Sequence, residues 1–272
     1  MPSLSQVKPV LCLLLFLSGS VQASTLAKSV LEASPVDDIV ATYPDMMSEG
    51  VRQGLSQSGR LDPMMVSTIV TVVRGAFQSA NIENKLVADL SASLSEEQLN
   101  SVGQWYRTPL AERISRAEIK ASSTDAWLSI QQGAPELQAE YRGSERAQLF
   151  TRYDKAARAT ESAVDTTVAV QLGLATAMAA FQGGKGPGFD QMEQMIESQR
   201  DQVRAMVAQQ VYDIYLYTYQ DLSNDELNEY IRFLESDAGT RFTRVVTAGI
   251  QDAITRPVKS VGRQLARFLN PS

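Results

Sequence analysis

Apolar residues in this chain recur at helical spacing. Between Leu94 and Ile114, the residues Leu99, Val102 and Tyr106 fall on one face. Between Leu222 and Phe242, the residues Leu227, Tyr230, Ile231 and Leu234 do the same. The two segments open alike, and one fixed offset carries Leu94 onto Leu222 and Ser95 onto Ser223. Ser95 with Gln98 and Ser223 with Glu226 have capping-box spacing, in which serine accepts from the third helical N–H and Gln or Glu reaches back to the cap N–H. Leu94 can then pack on Leu99, and Leu222 on Leu227, as a staple across the cap. Trp105 and Phe233 hold matching positions at the edge of the apolar face.

A second start follows in each copy. Thr108-Pro109 reads as cap and first helical residue, where proline's missing N–H costs nothing. Ser236-Asp237 does the same with an acid that the helix dipole favours. Leu110, Ile114, Ala117 and Ala121 continue one helix; Ala238, Phe242, Val245 and Gly249 continue the other. Each segment therefore predicts a short helix, a tight corner and a second helix.

The punctuation extends upstream. Gly54 to Arg60 and Gln182 to Gly188 are breakers. Asp62-Pro63 opens one helix, and Asp190 with Glu193 opens its counterpart. Only five of 21 positions are identical between the two segments, so the spacing of caps and breakers carries the comparison. The expected fold is all-α: two divergent tandem helical repeats of about four helices each, residues 24–148 and 149–272, joined near Ala134 to Gln148. In each repeat one helix precedes the loop, a long one follows it, and the capped pair closes it. Ser67 to Val73 and Tyr215 to Tyr219 have strand-like composition. They lie in helical frames without turn residues and are read as helix.

The first residues read as a targeting segment. Lys8 precedes the apolar run Val10 to Gly19, and Val21 to Ala23 supplies small residues for a signal peptidase. Residues 1–23 are expected to be a cleaved secretory signal, because the apolar run is shorter than the ~20 residues a membrane span needs. The one cysteine, Cys12, leaves with it, so the mature chain forms no internal disulfide and depends on an apolar core.

Charge and residue types narrow the chemistry. The signal takes one lysine and no acid, leaving 24 basic against 31 acidic residues, a net charge near −7. Such a chain is a poor bulk binder of nucleic acid or anionic lipid. It has no histidine, which excludes His-dependent triads, His-ligated metals and histidine pH switches.

The pattern Leu-Ser-x-x-Glu/Gln-Leu-Asn, an aromatic, Ser/Thr-Pro/Asp and Ala-Gly resembles bacterial domain of unknown function 2059. The C-terminal copy carries it best, in Leu222, Ser223, Glu226, Leu227, Phe233, Ser236, Ala238 and Gly239, within about Arg200 to Arg256. The N-terminal copy keeps Leu94, Ser95, Leu99, Trp105, Tyr106, Thr108 and Pro109, with Leu110-Ala111 in place of Ala-Gly. The resemblance implies an exported helical protein of Gram-negative bacteria and supplies no catalytic residue.

Glu96-Glu97 and Asp225-Glu226 are first-turn acids suited to the helix dipole, not a metal cage. Gly183 to Gly188 with Lys185 lacks the phosphate-loop arrangement. Thr167 to Phe181 is nearly free of charge and reads as a buried helix. Tyr212, Tyr215 and Tyr219 share a helical face whose counterparts in the first copy are Asn84, Val87 and Ser91. Tyrosine suits binding surfaces, and packing against the other repeat explains this face equally well. The tail from Arg256 carries Lys259, Arg263 and Arg267 beside an apolar stripe of Val258, Val261, Leu265, Phe268 and Leu269. It fits a closing helix or a basic amphipathic helix on an anionic surface.

The expectation is a periplasmic, or otherwise secreted, non-catalytic protein of the bacterial envelope that binds a protein partner. No cofactor, metal or nucleic acid is expected, and membrane contact is confined to the tail. The candidate interaction surface is Tyr212, Tyr215, Tyr219, Lys259, Arg263 and Arg267. The alternatives are a carboxylate-dependent hydrolase of cell-wall or sugar substrates, which needs two acids about 5–10 Å apart across a cleft, and a peripheral membrane protein.

Overall fold

The computed structural model describes residues 10–58, 62–181 and 189–269. Side-chain contacts are described within Gln22–Pro257. The element order is α1 Val10–Ala33, α2 Val36–Ser58, α3 Pro63–Ala76, α4 Ser79–Ser93, α5 Glu96–Tyr106, α6 Pro109–Ala121 and α7 Thr124–Tyr141. There follow α8 Glu145–Ala157, α9 Ala159–Phe181, α10 Phe189–Glu197, α11 Arg200–Thr218, α12 Asn224–Glu235 and α13 Asp237–Leu269. No strand occurs among the described residues; Ser67 to Val73 lies in α3, and Tyr215 to Thr218 closes α11.

Helices start where the caps place them. Asp62 accepts from the Met64 N–H, Thr108 from that of Ala111, and Ser236 from that of Gly239. Ser95 and Ser223 each form a complete capping box, with Gln98 and Glu226 returning to the cap N–H at 2.9 Å. In this way two of the helix's orphan N–H groups are satisfied at each start.

Other boundaries differ from expectation, and each half contains more than four helices. The long helix expected after the first loop breaks between α3 and α4. There Phe77 leaves helical geometry (φ −108°, ψ 59°) and buries its ring against Val70 and Val73, among others. The break between α10 and α11, at Ser198 and Gln199, does not fall at the matching position, which lies inside α11. The breaker at Gly54 is helical as far as Ser58, with residues 59–61 outside the described residues. Asp190 lies inside the first turn of α10 and is not its cap. The second loop, residues 182–188 with Lys185, also lies outside the described residues.

Both halves build one core. Val30, Leu31, Leu86, Leu99, Val102 and Ile114 join Tyr215, Leu227, Ile231, Leu234 and Phe242 in a single buried cluster. A satellite under α2, α3 and α13 contains Val66, Ile69 and Val73, and another between α9 and α11 contains Val164, Val168, Val203 and Val207. Helix α9 lies against α11 and α13, with Val168, Ala169 and Leu172 buried and Val170 exposed; of the stretch expected to be buried, the side chains of residues 174 and 176–181 lie outside the described residues.

Candidate functional site

The helix pairs face each other across a seam with reciprocal contacts. Gln98, the box residue of α5, donates to Asp237 in the first turn of α13 at 2.6 Å. Glu226, the box residue of α12, accepts two hydrogen bonds from Arg113 on α6. Arg241, which the offset between the two capping serines aligns with Arg113, donates to the Ser93 carbonyl. Trp105 and Phe233, likewise aligned, stack on each other with centroids 4.6 Å apart. The Arg113 guanidinium and the Ser223 N–H hold the Glu226 carboxyl below its ordinary range. Glu226 is therefore used both at its helix start and across the seam, and Asp237 across the seam. Among the described residues no group of acids is placed to hold a metal.

At one end of the seam the aromatic residues surround a carboxyl. Tyr219 and Tyr230 both donate to Glu118 Oε1, at 2.6 and 2.8 Å. The Tyr153 hydroxyl lies 3.1 Å from that of Tyr219. Tyr215 donates to the Arg146 carbonyl, and its ring packs on Tyr153 and Tyr219 with centroids 5.1 and 5.5 Å away. Glu118 retains some side-chain surface, but its carboxyl is densely surrounded by protein. Burial raises the pKa of this acid, and the two phenol donors offset part of the rise. The phenols of Tyr219 and Tyr230 are also pushed up, by burial and then by the Glu118 charge.

Arg146, buried at the start of α8, donates to the carbonyls of Tyr219 and Leu222, where α11 has ended and the next capping box begins. Its guanidinium also sits 5.2 Å from the Tyr141 ring centroid. A positive charge at a helix C-terminus satisfies carbonyls that have no partner within the helix.

These positions correct the tyrosine reading. Tyr215 and Tyr219 are 1% and 2% exposed and belong to the core; only Tyr212 is partly open, packed on Phe150. The partners of the tyrosine face are Glu118 on α6 and Arg146, Phe150 and Tyr153 on α8. Lys259, Arg263 and Arg267 lie on the helical extension of α13, and their side chains are outside the described residues. Sequence reasoning missed Glu118, Tyr153 and Arg146. For Glu118 a signal existed: it follows Ile114 by one helical turn on the buried face, and its counterpart is Val246.

A cleft of about 130 Å³ opens among α9, α10 and α13, over Val168, Leu172 and Ile196. Its charges are paired: Arg200 reaches Asp165 and Glu197, and the neighbouring Arg204 reaches Glu161. No helix among the described residues is long and apolar enough to cross a membrane.

A family model described as "Uncharacterized protein conserved in bacteria (DUF2059)" matches residues 80–140, which span α4 to Glu140 of α7. The match falls on the N-terminal and middle part of the chain, not on the C-terminal segment where the motif is more complete. The helices of the matched region supply the Trp105 half of the seam and Glu118. No curated protein and no solved structure matches the chain.

Proposed function

We propose that this is an exported, non-catalytic helical protein of the bacterial envelope, built from two copies of one helical module, that acts by binding a partner protein. The observation that carries this reading is the use made of the motif's polar groups. Gln98 is engaged with Asp237, Glu226 with Arg113, and Tyr215 and Tyr219 with core partners. The motif joins the two halves, and recognition falls to the outer surface. There α7 presents Trp127 and Leu128, 43% and 60% exposed, inside the family-matched region. Large apolar side chains held outward on a helix suit a protein partner better than solvent.

Export rests on the signal-like pattern of residues 1–23. Cleavage after Ala23 would retain the core residues Ala27, Val30 and Leu31 of α1. The two-copy reading is supported by the helix starts. Glu96 pairs with Asn224, and Pro109 with Asp237, at the same offset that relates the two capping serines.

Photo-crosslinking residues placed at Trp127, Leu128, Lys259, Arg263 and Arg267 in cells test the binding role. The expected result is one discrete adduct from neighbouring positions, abolished by Trp127→Ser with Leu128→Ser. Absence of any adduct from all five positions would defeat the reading. N-terminal sequencing of the exported protein should begin at Ser24.

A further inference from the structure

Glu118 is a carboxyl on the inward side of α6, whose buried residues are Ala111, Ile114 and Ser115. It lies one turn after Ile114, which is 1% exposed. The titratable groups that meet it are Tyr219 of α11 and Tyr230 of α12 by hydrogen bond, with Tyr153 of α8 and Tyr106 of α5 close enough to feel its charge. None of these is a cation, and no ion pair among the described residues includes Glu118. On α6, Arg113 is held by Glu226 and Arg116 by Glu112, and the buried Arg146 is directed at carbonyls. From α7 no described hydrogen bond or ion pair reaches the carboxyl.

We propose that Glu118 is a proton-operated latch on the seam: it is seated between Tyr219 and Tyr230 while protonated, and it swings outward with the end of α6 when it ionises. An enclosed carboxylate without a cation loses hydration that two phenols only partly replace. Moving into water restores that hydration and separates α6 from α11 and α12. The equivalent position in the other half is Val246, buried at 7%, so this face of the helix packs without a carboxyl.

The sign follows from linkage. Burial makes the seated acid harder to ionise than a free one, whose ordinary value is 4.5. Below that value both seated and released forms are protonated, and pH does not bias the latch. Above it the released form ionises first, and opening increases by up to about tenfold per pH unit until the seated acid ionises too.

Tryptic cleavage after Lys120, in the last turn of α6, reads the opening directly in the full native chain. Cleavage follows the open population when reclosing is fast. The cleavage rate of the wild type, divided by that of Glu118→Gln at the same pH, is expected to rise with pH above the free acid's ordinary value, at up to about tenfold per unit, until the seated acid ionises as well. The ratio removes the protease's own pH response. A ratio that is flat or falls with pH would overturn the latch. If Glu118→Gln is not recovered folded, Tyr230→Phe replaces it: losing one donor to the ionised form should carry the rise to higher pH. A Tyr230→Phe profile that superimposes on the wild type would equally overturn the proposal.

Discussion

Gly239 shows how a single hydrogen decides a corner. A Cβ there would lie well inside contact distance of the Phe233 carbonyl oxygen and 3.1 Å from Ser236 Oγ. The close approach belongs to the turn in which Ser236 caps α13 while its own N–H bonds to Phe233. Gly239→Ala should therefore destabilise by about 2 kcal/mol or more, seen as a lower urea midpoint. The first copy already carries Ala111 at this position, 1% exposed, so Ala111→Gly there should cost only about 1 kcal/mol. Arg146 gives a second residue-scale test. Arg146→Leu leaves two carbonyls at the end of α11 without their donor and should cost about 3 kcal/mol, again by urea unfolding. Gly239 is visible in the sequence as part of the Ala-Gly motif, but Arg146 is not. A lone arginine in a polar stretch reads as solvated, and its partners, Tyr219 and Leu222, come from far along the chain.

Several helix starts were legible because a local device fixed them, though the equally local caps Ser123 and Ser144, which open α7 and α8, were missed. Ser95, Ser223, Thr108, Asp62 and Ser236 act on N–H groups two or three positions on, so their meaning is contained in short windows. Boundaries set from outside the helix were not legible. Phe77 ends α3 by turning its ring into a cluster that includes Ile254 of α13, and no local residue announces that partner. Burial of the tyrosine face has the same origin. Its helical period was visible, but which side faced protein depended on α6 and α8 arriving against α11. Arg158, at φ 56°, is a further case: it ends α8 in a left-handed conformation without the expected glycine.

At the scale of the whole molecule, the shared core makes the halves interdependent. Leu99, Val102 and Tyr106 of α5 are buried in one cluster with Leu227, Ile231 and Phe233 of α12. Separating residues 24–148 from 149–272 would expose both faces at once. Each half expressed alone should show little cooperative thermal unfolding, whereas the two co-expressed should purify together and recover a single transition. Independent, cooperative unfolding of either half would show that the seam is only a contact between domains.

The seam also has a spectroscopic consequence. The chain has two tryptophans. Trp105 is stacked on Phe233 between the halves, and Trp127 faces outward on α7. Replacing Trp127 with phenylalanine would leave one indole whose emission colour and quenching by small solutes report the closure of the two halves alone. Replacing Trp105 instead would leave an indole that reports occupancy of the outer face. The protein thus carries two built-in optical probes, one for its assembly and one for its encounters.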